Sequence, residues 1–339
     1  MKYGYLQIPY KNLTSTMANM ALAENLGFTY GWIPDSHILW GECFQYLTLC
    51  AQATESMMLG TMVTSPVTRH ETVVASSICT LDEISDGRAV LGLGRGDSSV
   101  RTLGVKPIRV DEFKRSVDRM VRLCRGQEID CNGVAVKISW RAGAEDSVPL
   151  YVAAYGPKVL EYAGTVADGV ILQIASPVVI KWCIEQVEKG AEKAGRSMDD
   201  IEVVAAASCC IGDDAEYCLN RVQPFPAVVS NHIKDVLKTI SRDEMPEELA
   251  RVADLIKDYD YNAHSVPGAS HAEAVPDEMV RDYTIVGTIA ECREKVAQLK
   301  DAGVTQVVIY NTAEELGQPD SVTRANIEAF GEAIIPHIS

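Results

Sequence analysis

No stretch of this chain approaches the ~18 consecutive apolar residues that a membrane-crossing helix requires. The opening residues, MKYGYLQIPY, also lack the apolar core of a signal peptide. The expectation is therefore a cytoplasmic protein. A basic surplus is missing too: 31 Lys and Arg stand against 47 Asp and Glu, a net charge of −16. Such a balance argues against a nucleic-acid partner or an anionic membrane surface, either of which needs a cationic patch.

Catalytic and metal-binding signatures are equally scarce. The sequence holds no GxSxG elbow, no HExxH pair and no Walker loop. Its ten cysteines form no CxxC pair and no ligand spacing with histidine. Several fall in apolar helical or strand patterns, where a thiol serves as a small hydrophobe. Buried, reduced cysteines and no metal site are expected. His232, His264, His271 and His337 are scattered, without ligand spacing.

What is present is an alternation of short apolar, β-rich runs with longer amphipathic segments. Strands are expected near 4–9, 30–34, 58–65, 89–94, 150–154, 169–174, 203–211 and 306–310. Between them run helical stripes such as Val74, Ile78, Leu81, Ile84 and Ile289, Cys292, Val296, Leu299, the second stopped by Gly303. Eight strands alternating with helices favour a closed parallel (β/α)₈ TIM barrel over an open doubly wound sheet. The chain reads as one domain over 1–339 with two departures from the repeat. Residues 127–149 form a small β-excursion turning at Asn132–Gly133. Residues 222–285 form a long, partly helical, charged insertion, and a long insertion in a compact domain is commonly a lid or an interface.

In such a barrel the ligand site is built from the loops that follow the strands. After the second strand, Asp35, Ser36, His37 and Trp40 bring a carboxylate, an imidazole and a flat aromatic together; His37 is the first acid–base candidate. Alternatively, Asp35 or Ser36 caps the next helix and His37 merely packs. The third strand ends through Met62, Val63 and Thr64, small and hydroxylated enough to line a planar ring or simply to fill the barrel. His70, before a helix beginning at Glu71, reads as a plain loop histidine. The fourth strand runs Gly92-Leu93-Gly94-Arg95-Gly96-Asp97, a GxGxG that comes too late in the chain for a dinucleotide fingerprint. Its glycines still admit a ligand close to the backbone, and Asp97 adds an acid; a solvated turn is the other reading. After the fifth strand, Ala154, Tyr155, Gly156 and Pro157 lead into a helix, whose first turn is a possible phosphate clamp.

Taken in order, PDSH at 34–37, LGTMVTSPVTRH at 59–70, TLDEISDGRAVLGLGRGDSSVR at 80–101 and VAAYGPKVLEYAGTVADGVILQ at 152–173 resemble the bacterial luciferase-like superfamily. The resemblance is to its deazaflavin branch, which holds the coenzyme F420-dependent methylenetetrahydromethanopterin reductases and glucose-6-phosphate dehydrogenases. It implies a TIM barrel, a homodimer or higher homo-oligomer, and a tricyclic ring lying in the barrel mouth. Asp35 and His37 match the Asp–His pair beside that ring. Trp40 matches a nearby aromatic, one residue closer than in the dehydrogenases. Met62–Val63 matches a non-prolyl cis peptide against the ring, with Thr64 and Gly96 close by. Asp97 matches the acid that gives or takes a proton, with His37 as its partner or as a polariser of the substrate. Ala154, Tyr155, Gly156 and Pro157 match the cofactor-phosphate loop.

The implied activity is an F420-dependent transfer of a hydride between the deazaflavin C5 and a small organic or pterin-like substrate. The alternative keeps the fold and uses FMN and oxygen, as a monooxygenase served by a separate flavin reductase. Flavin members often hold phosphate with hydroxyl side chains where this chain has Tyr155-Gly156-Pro157, a departure that favours F420.

Overall fold

A computed structural model describes residues 1–9, 13–142, 147–256, 258–264, 269–310 and 320–338. Its strands are β1 (Lys2–Leu6), β2 (Tyr30–Ile33), β3 (Met58–Thr61), β4 (Ala89–Leu93), β5 (Ile129–Cys131), β6 (Val134–Val136), β7 (Leu150–Ala153), β8 (Gly169–Leu172), β9 (Glu202–Ile211), β10 (Ile285–Gly287) and β11 (Gln306–Tyr310). Eight of them close a parallel ring in the order β1, β2, β3, β4, β7, β8, β9, β11, with β11 pairing back onto β1. These are the eight runs expected from the sequence, and the chain folds as a (β/α)₈ barrel.

The ends of those runs differ for local reasons. The third was expected to reach residue 65, yet β3 stops at Thr61 because the chain turns out of the ladder at Met62–Val63. Thr64 returns only as an isolated bridge to Leu93. Strand β10 was not expected: it is three residues long and pairs with the far end of β9, from Cys209 to Ile211. A run so short gives little periodicity to read.

The barrel interior is packed around Trp32, which is fully buried. Its ring stacks on Tyr30 at 5.7 Å and meets Tyr151 at 5.5 Å, although β7 is not a neighbour of β2. A Cβ at Gly60 would stand 2.6 Å from this indole, so the small residue makes room for the large one. Truncating such a side chain to Ala typically costs about 3–5 kcal/mol. Outside the ring, the helix Glu71–Ile84 buries Val74, Ile78 and Leu81, and the helix Ile289–Asp301 buries Cys292, Val296 and Leu299. Each stripe leaves one terminal residue, Ile84 or Ile289, exposed at the helix end.

Both departures from the repeat take definite form. Residues 127–149 carry the antiparallel pair β5–β6, and the turn at Asn132 and Gly133 has positive φ at both positions, as a two-residue hairpin loop needs. Among its described residues the 222–285 insertion contains the helices Pro224–Val236, Glu247–Val252 and Asp277–Tyr283 and the short 3₁₀ turns Arg242–Glu244, Tyr261–Ala263 and Ser270–Ala272. All ten cysteines are free, and nine are buried. Burial pushes the Cys43, Cys183 and Cys209 thiols up, keeping them protonated. No helix among the described residues is long and apolar enough to cross a membrane.

Candidate active site

The loops beyond the C-terminal ends of the strands gather the candidate residues. Asp35, just past β2, is almost wholly buried, and its charge is met from two sides. Arg69 donates through Nε to Oδ2 at 2.9 Å and through a terminal nitrogen to Oδ1 at 3.0 Å, while the Thr64 hydroxyl donates to Oδ2 at 2.6 Å. Arg69 also reaches Glu42. A bidentate guanidinium fixes both position and plane of a carboxylate, so Asp35 ties the loops after β2 and β3 together. Neither Asp35 nor Ser36 caps the next helix: Glu42 does, accepting from the Gln45 amide. The Ser36 hydroxyl instead meets that of Ser98 at 2.6 Å, beside Asp97.

The Met62–Val63 peptide is cis. It sits against the end of β4, where two glycines leave space. A Cβ at Gly92 would fall 1.9 Å from the Thr61 carbonyl oxygen, and one at Gly94 would fall 2.7 Å from Val63 Cγ2. Close approach of this kind excludes every residue but glycine at 92. Thr61 consolidates it, its hydroxyl donating to the Gly92 carbonyl at 2.7 Å. The result is a smooth wall from Met62 to Gly96, suited to the face of a flat ring.

Asp97 begins the short helix Ser98–Arg101 without capping it, so its carboxylate is directed elsewhere. Oδ1 accepts from Arg101 Nε at 3.0 Å and from Asn231 Nδ2 at 3.2 Å. Oδ2 is buried, makes no hydrogen bond, and lies 3.5 Å from His232 Nε2. An unpaired buried carboxylate oxygen is costly, and one at a barrel mouth is available to a reacting group.

Asn231 and His232 belong to the helix Pro224–Val236, which crosses the mouth. Near its start Phe225 meets Tyr310 edge-on at 5.7 Å; near its end Val236 packs 3.2 Å from where a Cβ on Gly156 would be. Asp235 binds Arg101 from the same helix. The His232 imidazole stacks on Tyr155, centroids 4.6 Å apart and planes 19° from parallel. Tyr155 in turn donates its hydroxyl to Gln173 Oε1 at 2.8 Å, and Gln173 Nε2 donates to the Tyr310 hydroxyl at 3.2 Å. Burial above all, reinforced by Tyr310 and Asp97, pushes the Tyr155 phenol well up, so it stays a neutral donor. Burial lowers the His232 pKa, with Asp97 opposing and Arg101 assisting.

Further along the insertion, Tyr261 donates to Asn231 Oδ1 at 2.8 Å and its ring faces the Arg101 guanidinium at 5.6 Å. Tyr259 meets His264 Nδ1 at 2.7 Å, and the His264 ring stands 6.0 Å from Trp40. Burial draws His264 down to about 4, so the imidazole is neutral at physiological pH.

The expected site residues are thus partly assembled. Met62, Val63, Gly96 and Asp97 lie along one wall; Ala154, Tyr155, Gly156 and Pro157 form the adjoining rim, since β7 pairs with β4, with Gly156 as the N-cap of the helix Pro157–Val166 and no side chain capping it. Asp35 and Thr64 brace the wall from behind. His37 is exposed, and among the described residues no hydrogen bond or ion pair joins it to Asp97; His232 occupies that place. His70 caps the helix Glu71–Ile84, in keeping with a plain loop histidine. Asn231, His232, Tyr261, His264 and Gln173 escaped sequence reading because tertiary contact alone brings them to the mouth. Among the described residues no three His, Cys, Asp or Glu side chains are grouped to hold a metal ion.

Comparison with known proteins points the same way. Residues 4–306 match the model of the luciferase-like monooxygenase family. The 5,10-methylenetetrahydromethanopterin reductase of Methanolobus tindarius is 33% identical over 91% of this chain and 93% of its own. That of Archaeoglobus fulgidus is 30% identical over the whole of both. Among solved structures, the coenzyme F420-dependent tetrahydromethanopterin reductase of Methanopyrus kandleri superposes with a TM-score of 0.78 at 26% identity, covering 100% of this chain and 99% of that one.

Proposed function

The chain belongs to the luciferase-like monooxygenase family, and from that premise we propose that it is a coenzyme F420-dependent oxidoreductase of the 5,10-methylenetetrahydromethanopterin reductase kind. The observation that carries the reading to residues is the Asp97 carboxylate. It presents one buried oxygen without a hydrogen bond beside the glycine-lined wall at Met62–Val63.

That wall fits a planar tricycle. Gly92 and Gly94 let the segment from Thr61 to Val63 lie close against β4, and Asp35 with Thr64 holds the loop behind it. Tyr155, Gly156 and Pro157 fit the phosphate-bearing side chain through the uncapped helix start. When bound, the deazaflavin supplies the hydride at C5. The protein's own part is to align the acceptor at near-attack distance, exclude water and manage one proton. Asp97 gives or takes that proton at Oδ2 while Arg101 and Asn231 fix Oδ1. The helix Pro224–Val236 covers the mouth against water. Trp40 approaches the same opening from the loop after β2, its ring 6.0 Å from that of His264.

The reading extends to a small-molecule substrate of pterin-like or other reducible heterocyclic form, a homodimer or higher homo-oligomer, and a cytoplasmic location. Ten free thiols accord with a reducing compartment. Titration of the purified protein with F420 and with FMN, followed by ring fluorescence, tests the cofactor assignment. Tight F420 binding with weak or no FMN binding is expected; FMN binding without F420 binding overturns it.

A further inference from the structure

Resting on the assignment of Asp97 as the acid–base group, the geometry points to His232 as its positioning residue: the imidazole, aimed by its stack on Tyr155, is placed to donate Nε2–H to Asp97 Oδ2 once the site fills. Among the described residues, Arg101, Asn231 and His232 bring polar side-chain atoms to the Asp97 carboxylate. Oδ1 is taken by Arg101 and Asn231, each held in turn: Arg101 by Asp235, and the Asn231 amide by the Tyr261 hydroxyl donating to its oxygen. The last contact forces the amide nitrogen of Asn231 toward Asp97, so that side of the carboxylate is fixed. Oδ2 has no hydrogen-bond partner among the described residues and remains to turn toward substrate, and His232 Nε2 stands 3.5 Å from it.

The distance is at the outer limit of a hydrogen bond. Catalytic hydrogen bonds are often long in the absence of ligand and shorten once the site fills. His232 is built for one direction of approach. Its ring lies 19° from parallel with Tyr155, and Tyr155 is tied through Gln173 to Tyr310 on the far strand β11. The helix bearing His232 is anchored at both ends of the mouth, by Phe225 and by Asp235. Burial keeps the imidazole neutral, so it carries a single N–H. Given to Oδ2, that N–H sets the carboxylate plane without placing a second full charge beside Arg101. Neither the loop histidine His37, which is exposed, nor His264, whose Nδ1 is engaged by Tyr259, offers such a donor.

Two substitutions separate this role from simple packing. His232→Phe keeps the stack on Tyr155 and removes the donor; His232→Gln loses the aromatic ring and places an amide N–H close to the position of Nε2. In the full chain, F420 fluorescence gives binding and anoxic oxidation of reduced F420 by 5,10-methylenetetrahydromethanopterin gives kcat and KM. His232→Phe is expected to lower kcat about tenfold or more, with F420 affinity within about threefold of wild type, while His232→Gln retains most of the turnover. In the Asp97→Asn background, His232→Phe is expected to have almost no further effect, because residues acting as a unit are not additive. A His232→Phe enzyme as fast as wild type, a His232→Gln enzyme as slow as His232→Phe, or an undiminished Phe effect in the Asp97→Asn background overturns the inference. Wild-type protein that binds FMN and not F420 overturns the cofactor assignment instead. The same variants, assayed with reduced FMN and oxygen, then decide His232 by the same contrast.

Discussion

His232 and Tyr155 lie face to face, ring centroids 4.6 Å apart, and this stack joins the inserted segment to the barrel rim at the point where Asp97 emerges. Through it the 222–285 insertion becomes part of the site. The acid comes from the loop after β4, the aromatic rim from the loop after β7, and two of the side chains around the acid, Asn231 and His232, from a helix the chain reaches only after β9.

If Asp97 carries the proton step, Asp97→Asn lowers kcat about a hundredfold or more, with F420 affinity little changed. Stopped-flow single turnover with reduced F420 measures it. Turnover equal to wild type rules out Asp97 as the acid–base group.

The Asp35–Arg69 pair yields a prediction on stability. Asp35 is buried with Arg69 and Thr64 as its partners. Arg69→Ala leaves that carboxylate buried and largely uncompensated, a change that typically costs about 3–5 kcal/mol. Chemical denaturation of the variant measures the loss; a loss below about 1 kcal/mol, the range of surface ion pairs, shows that the pair is not a structural tie.

A third prediction concerns pH. His232, His264 and His271 all have folded pKa values below the ordinary 6.5, burial being the leading cause in each, and His264 falls to about 4. As pH drops through 6.5 the unfolded chain takes up protons that the folded chain refuses. Stability is therefore full above that pH and declines from there toward pH 4, where folded His264 also titrates. Thermal unfolding should show a lower melting temperature at pH 5 than at pH 7.5, with His264→Gln flattening the dependence. A flat or opposite trend in wild type contradicts the burial of these imidazoles.

The barrel was legible because strands covered on both faces read as continuous apolar runs, as VVAAASCCI in β9 does. Asp97 and the glycines before it were legible for a related reason: a site at strand ends leaves local marks in the loop that follows. The roof was not. Asn231 and His232 sit on an ordinary helix, and nothing in their spacing tells that Asp97 lies opposite. Of the readings open for Asp35, helix capping, usual for a short polar residue ahead of a helix, is not the one it takes: Glu42 caps and Asp35 is held by Arg69. His37 drew attention as the imidazole nearest to Asp35 in sequence, yet packing turns it to solvent.

The central claim is tested most directly by following the oxidation of reduced F420 under anoxia with 5,10-methylenetetrahydromethanopterin as acceptor. The account predicts protein-dependent turnover that needs neither oxygen nor a flavin reductase and collapses in Asp97→Asn. Turnover seen only with reduced FMN and oxygen would contradict it.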